Sequence, residues 1–507
     1  MLDRRQIPHR EHGEVEMVTG LRFLTVALMV FALAHPGMAQ VGGGAGGTGG
    51  LGGGFGGGFG GLGGGGNNQN TSAGIRIDAD GILSLVTTAD GNDGLDKKRR
   101  DMLAKKYLSR DLTQSASLRM VSLVQLEKQL EAVLAAGNPI PDEVFYLAGL
   151  QRIEHIFVVP EEQDLIIAGP ADGFAPDAVG RMIGVASARP VLRLDDLIVA
   201  LRTVPRAPQI GCSIDPVPAR LAELQKFVRQ GVPATKQEVE ARFNQMDDIL
   251  GLQDVRIDGV PPDSHFATIL VEADYRMKRI AIGVEQPAVK GLKSHLAMLG
   301  KGGNVMQRWW FVPLYDAIYQ SEDGLSYQFT GQRAQLLAED EVTDEFGNRS
   351  TATTTHKSTH GFAKQFTQKF AQLADKSPVF GELQNLIDWV VLASLIRKEQ
   401  LAERVGWKQS LFLDAERLTY PTFNPPKQVP SLVNFKESGN LVIGLVGGGV
   451  TISTHRPPDL VKATDRTASQ LEFTRKSAVV TPPGTAHTWW WDIPAVDKGS
   501  SKKATSR

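Results

Sequence analysis

From Gly42 to Gly66 the chain is glycine interrupted only by Ala45, Thr48, Leu51, Phe55, Phe59 and Leu62. Glycine loses more backbone freedom on folding than any other residue, and side chains this sparse bury too little apolar surface to offset that loss. The segment reads as a flexible tether over residues 40–73, closing on "NNQNTSAG". Whatever folds must lie behind it, and about 380 residues of ordinary globular composition do, enough for one large or two medium domains.

Ahead of the tether, Arg22 borders an apolar run from Leu21 to Ala34, and small residues Gly37 and Ala39 precede a cut before Gln40. That pattern predicts a secretory signal peptide over residues 1–39, with Met17 giving a leader of ordinary proportions. The run falls short of the ~20 residues that cross a bilayer as a helix. Export to the periplasm or cell surface is the expectation. The single cysteine, Cys212, rules out an intramolecular disulfide, so the core must hold without one.

A net charge of -1 with 22% charged residues gives no basic field for nucleic acid. The densest basic run, Asp96 to Lys106 in "DKKRRDMLAKK", reads first as a solvated helix face, with an envelope-surface or polyanion contact as the alternative. No cofactor motif is present. "GLVGGGVTI" lacks the Lys and Ser or Thr of a phosphate loop and lies between strands. Asp78-x-Asp80-Gly81 lacks the later ligands of a calcium loop and reads as a hairpin turn.

Behind the tether the pattern alternates between strand and helix. "GIRIDADGILSLV" predicts a hairpin, and apolar spacing of three and four predicts a helix over 118–136, stopped by Gly137. Strands follow at Ile153–Val159 and Asp164–Ala168, a strand and helix in "RPVLRLDDLIVALRTV", then two helices ending near Val228 and Leu250 and a strand in "LQDVRIDG". Beyond Trp310, aromatic alternating runs punctuated by Asp323-Gly324 and Phe346-Gly347 predict a β-meander. Helices at 361–374 and 379–403 come next. The second is apolar along "LIDWVVLASLI", and Asp388 favours burial over a membrane span. "SLVNFKES" and "LVIGLVGGGVTIST" predict closing strands. The expected fold is α+β, mixed helices with short antiparallel strands, in two packed lobes: an α/β lobe over 74–300 and a meander with helices over 301–455. The tail 456–507, with "TWWW" at Thr488–Trp491, is expected to be disordered.

Several long segments carry a resemblance: "LAGLQRIEHIFVVPEEQDLIIAGPADGF", "IGCSIDPVPARLAELQ", "VRIDGVPPDSHFATILVEADYRMKRIAIG", "MQRWWFVPLYDAIYQSEDGLSYQFTGQ" and "GGGVTI". In this order they are similar to an exported protein family of planctomycete bacteria catalogued as a domain of unknown function, over residues 75–452. The resemblance implies export and assigns no activity, cofactor or catalytic residue.

The candidate site residues are few. Asp263, Ser264 and His265 are adjacent, and three adjacent side chains cannot converge on one proton. Capping accounts for Asp263 or Ser264, and a buried stripe of Phe266, Ile269, Leu270, Ala273, Met277 and Ile280 for the helix behind them. Glu272 with Arg276 and Asp274 with Lys278 are acid-before-base pairs one turn apart. His265 alone is left without a structural duty and is the weak catalytic candidate, with Asp263 and Cys212 beside it. His356 and His360 have the i,i+4 spacing of a zinc pair, but a Thr run precedes them and Lys357 stands where a zinc protease carries Glu. His295 reads as structural. Trp309 and Trp310 read as core, with a sugar- or peptide-binding platform as the alternative. The expected function is a non-enzymatic binding or assembly component of the envelope, with a protein or envelope component as partner and no transmembrane span. The alternatives are a hydrolase-like enzyme around His265 and a carbohydrate or peptide binder at Trp309 and Trp310.

Overall fold

The computed structural model describes residues 71–77, 83–89, 93–230, 236–299, 306–434, 445–455 and 461–463, together with Glu472 and Arg475. The leader with Met17, residues 40–70 of the predicted tether, the Asp78–Gly81 turn and most of the 456–507 tail with its Trp run lie outside the described residues, and the last three tether residues, 71–73, belong to a strand rather than to a flexible segment.

The chain opens with a hairpin of β1 (Thr71–Ile77) and β2 (Leu83–Ala89), then α1 (Asp93–Tyr107), β3 (Ala116–Ser122) and α2 (Leu123–Ala135). The predicted 118–136 helix thus starts later than its apolar spacing suggests. Residues 119–122 pair with β5, and Ser122 caps α2 by accepting from Gln125 N at 2.9 Å while its hydroxyl donates to Asp164. Next come α3 (Asp142–Phe145), β4 (His155–Val159), β5 (Asp164–Ala171), β6 (Phe174–Pro176), β7 (Met182–Gly184), α4 (Leu194–Thr203) and β8 (Gln209–Pro216). α5 (Pro218–Val228) and α6 (Lys236–Leu250) end where expected, followed by β9 (Leu252–Asp258), α7 (His265–Ala281) and α8 (His295–Met298). The remainder is β10 (Met306–Leu314), β11 (Ile318–Gln320), β12 (Ser326–Phe329), β13 (Arg333–Thr343), β14 (Arg349–Thr351), α9 (Lys357–Lys376), α10 (Pro378–Lys398), α11 (Leu401–Arg404), β15 (Gln428–Pro430), β16 (Leu445–Ser453) and β17 (Val461–Ala463). Ser431–Asn434, expected in a strand, carries none, and Gln400 in the left-handed region breaks the predicted long helix between α10 and α11.

The fold is α+β. A seven-stranded sheet runs β14-β13-β10-β16-β8-β9-β15 and a six-stranded sheet runs β17-β11-β12-β4-β5-β3. The predicted meander is therefore corrected: β10 pairs with β13 and β16, whereas the β11–β12 hairpin belongs to the other sheet. Local turns such as Asp323-Gly324 specify a hairpin, but a long-range partner is chosen by burial and has no local signature. Both sheets take strands from either side of residue 300.

β16 enters the middle of the large sheet, parallel to β10 and antiparallel to β8. Its glycines serve that position. Gly448 has φ 144°, and a Cβ there would meet the Trp309 carbonyl oxygen at 1.7 Å. Helix α7 lies against β8, β16 and β10 on one face, with α9 against β13 and α10 against α7, α9 and α4. Trp309 and Phe311 point into this core, while Arg308 and Trp310 alternate to the other face. There α5 and α6 form a smaller core that reaches Met306.

Among the described residues α10 is the one helix long and apolar enough to cross a membrane, and that stretch is wholly buried inside the protein. Its Asp388 accepts from Arg333 Nε at 2.8 Å, Tyr315 Oη at 3.1 Å and Ile153 N at 3.2 Å, which ties the helix to β13 and to the segments that lead into β11 and β4.

Candidate functional site

The Asp263-Ser264-His265 run is divided by the start of α7. Asp263 is exposed, Ser264 caps the helix by accepting from Ala267 N at 3.1 Å, and His265 turns inward. The apolar stripe from Phe266 to Ile280 is buried as its spacing predicts. Glu272, Asp274, Arg276 and Lys278 are buried with it. Asp274 and Lys278 do pair, at 2.7 Å, but both are fully buried. The predicted Glu272–Arg276 pair is replaced: Glu272 bonds Arg181, and Arg276 bonds Glu285 at 2.6 Å. Arg181 from a distant segment and Glu285 from just beyond the helix outcompete the local partners because α7 is enclosed along most of its circumference.

His265 is 7% exposed. Its Nδ1 stands 3.0 Å from Asp196 Oδ2 and 3.1 Å from Oδ1, its Nε2 is 3.8 Å from Glu382 Oε1, and its ring meets the edge of Phe423 at 5.3 Å. Arg181 bridges Glu382 and Glu272. Arg193 forms a fork on Asp195, at 2.9 and 2.7 Å, beneath the rings of Phe145, Tyr146 and Phe423. The remaining oxygen of Glu272, Oε1, is buried and has no hydrogen-bond partner among the described residues.

Three helix N-termini meet here. Asp195 and Asp196 occupy the first turn of α4, His265 is the first residue of α7, and Glu382 lies one turn into α10. Carboxylates are favoured at such ends by the unpaired N–H groups and the helix dipole. Burial, reinforced by Arg193, lowers His265 to about 4 against the pull of Asp195 and Glu382. Burial raises Asp196 to about 7 despite Arg193. Burial likewise pushes Glu382 up, with Arg181 and His265 opposing. Above neutrality His265 is thus neutral and its Nδ1–H donates to the Asp196 carboxylate; below it, Asp196 holds the proton and donates to Nδ1. The pair can hold or pass one proton between α4 and α7.

The other sequence candidates fall elsewhere. Cys212 is buried on β8, and burial first, then Asp274, pushes its thiol well above the ordinary range, so it is no thiolate nucleophile at neutral pH. His356 does not share a helix face with His360. It is the N-cap of α9, with its backbone N donating to Asp340 at 2.8 Å and its Nδ1 on the same carboxylate. Among the described residues no group of three or more potential ligands could hold a metal ion. His295 is buried edge-on against Trp309 at 5.0 Å, and burial lowers it to about 4. Trp309 is fully buried and donates to the Thr359 carbonyl at 3.3 Å, so it offers no ring face to a ligand. Trp310 is half-buried with the Arg308 guanidinium 5.3 Å over its ring.

A cleft of about 510 Å³ opens at the far end of α7, over a floor of Ile280, Leu292 and Leu296 with Gln286, Lys293 and Asn434 on its walls. Its floor residue Ile280 is roughly 22 Å from His265 along the helix at the rise of 1.5 Å per residue.

Sequence reasoning found His265 but not Asp196, Glu382, Arg181 or Arg193. The available signal was chemical: Asp195-Asp196 opening the apolar helix of "LDDLIVAL" and Glu382 in the apolar α10 are acids that burial obliges to find partners.

No curated protein and no solved structure matches the chain. Residues 212–295, from Cys212 in β8 to His295 at the start of α8, match the family described as a protein of unknown function (DUF1598), a segment that supplies His265 and Glu272 to the cluster while Arg181, Arg193, Asp196 and Glu382 come from outside it.

Proposed function

We propose that this chain is an exported component of the cell envelope that acts by binding or assembly rather than by catalysis. The observation that carries the non-catalytic half is the closure of the His265 cluster. His265 is held between Asp196 and Glu382 under Phe423, with 7% of its surface exposed. A general acid or base must reach the proton it transfers, and this imidazole has its Nδ1 committed to Asp196 and its ring packed between α4, α7 and α10. Export is supported by Arg22 beside the apolar stretch that runs on to Ala34, with small residues Gly37 and Ala39 after it. A protein or envelope component is the partner this reading requires.

The test is crosslinking and affinity capture of the full chain from the envelope fraction of its own organism. A stable, stoichiometric partner is expected. Recovery from the cytoplasm alone would end the export reading, and a retained small molecule without a protein partner would end the assembly reading.

A catalytic reading has one observation in its favour, the 3.0 Å pairing of an imidazole with a carboxylate from another segment. Turnover of any ester or glycoside substrate that is abolished in His265→Gln without loss of stability would establish it in place of the proposal. The binder reading now rests on Trp310 alone, and quenching of its fluorescence by oligosaccharides would support it.

A further inference from the structure

Eight large apolar side chains are exposed among the described residues, and three of them, Leu95, Met102 and Tyr107, belong to the single helix α1. The same helix, "DGLDKKRRDMLAKKY", carries three more basic than acidic residues in a chain whose net charge is -1. At 100° per residue the two properties coincide: Leu95, Met102 and Lys106 lie within about 20° of one line along the helix, flanked by Lys98, Arg99 and Lys105. All six are exposed. On the opposite side Arg100 and Ala104 are buried while Lys97 is exposed, and the helix lies against β6. Asp96 and Asp101 sit on the flanks, where Asp96 pairs with Arg99 and Arg100 and Asp101 with Lys105.

We propose that the outward face of α1 docks on the surface of an anionic lipid bilayer. Charge complementarity points to an anionic partner, because the face presents four cations, of which Arg99 and Lys105 pair with the flanking Asp96 and Asp101 while Lys98 and Lys106 lie nearer the apolar line. The apolar pair selects among anionic partners. Leu95 and Met102 are 62% and 65% exposed and stand two turns apart on the same line. A soluble polyanion would leave both in water, whereas the boundary between headgroups and acyl chains buries them while the lysines reach the phosphates. The inference leans on the envelope reading only for which membrane is met, since vesicle binding does not depend on export.

The experiment is cosedimentation of the full chain with vesicles of phosphatidylcholine alone and with vesicles containing phosphatidylglycerol. Binding is expected only to the anionic vesicles and should weaken as salt is raised. A Lys98→Gln, Lys105→Gln, Lys106→Gln variant should bind at least about tenfold more weakly, and Leu95→Ser with Met102→Ser should also lose affinity, both with unchanged circular dichroism. Failure to bind anionic vesicles overturns the proposal. So does binding that survives both variants, or binding to heparin that depends on the lysines but not on Leu95 and Met102.

Discussion

His265 Nδ1 lies 3.0 Å from Asp196 Oδ2, joining residues 69 positions apart at the N-termini of α7 and α4. Because burial lowers the first to about 4 and raises the second to about 7, the folded pair holds its one proton on the carboxyl over the acidic range. The unfolded chain holds that proton on the imidazole instead. The proton count is the same, so the pair contributes little pH dependence between about pH 4 and 6.5.

Breaking the pair exposes the two opposed slopes. In Asp196→Asn only His265 remains, and the unfolded state binds the extra proton, so stability should rise with pH from about 4 to 6.5. In His265→Gln only Asp196 remains, and the folded state binds the extra proton, so stability should fall as pH rises from about 4 to 7. Urea denaturation across that range checks both signs, and parallel slopes in the two variants would refute the assignment.

Arg181 neutralises Glu272 and Glu382 together. Arg181→Ala should cost about 3–5 kcal/mol, because it strands two buried carboxylates. Arg181→Met combined with Glu272→Gln and Glu382→Gln should recover much of the loss. Denaturant midpoints compare the two, and an equal deficit in both would mean that packing rather than charge is responsible.

Trp309 and Trp310 are neighbours with opposite fates. Trp309→Ala opens a cavity in the main core and should cost about 3–5 kcal/mol. Trp310→Ala removes a half-buried ring from the outer face and should cost clearly less, which thermal melts of the two variants would show. Comparable losses would contradict the strand register.

Cys212 should resist thiol reagents in the native protein, because it is buried and its thiol stays protonated. Labelling kinetics with and without urea test this, and rapid native labelling would show that β8 opens.

What could be read beforehand follows the range of the interaction. Ser264 as a cap, the buried stripe of α7 and the ends of α5 and α6 rest on contacts within a few residues, and local spacing encodes them. The partner of Glu272 was misread because Arg276 stands one turn away in the sequence, whereas Arg181, 91 residues earlier, wins once both are buried. β10 met the same difficulty. Its alternation specified a two-faced strand, but its neighbours β13 and β16 arrive later and carry no mark of their destination. The site itself was half legible: His265 stood out for lack of a local duty, and its duty lies in α4 and α10.

The placement of β16 bears on when this protein can fold. The strand between β10 and β8 is made after both, so until residue 453 has emerged the large sheet has a gap at its centre with two unsatisfied edges facing it. Closure is therefore a late, long-range event that depends on nearly the whole chain being present. A polypeptide ending before Leu445 should remain open to protease and prone to edge-to-edge association, and limited proteolysis of such a truncation would show whether closure waits for that strand.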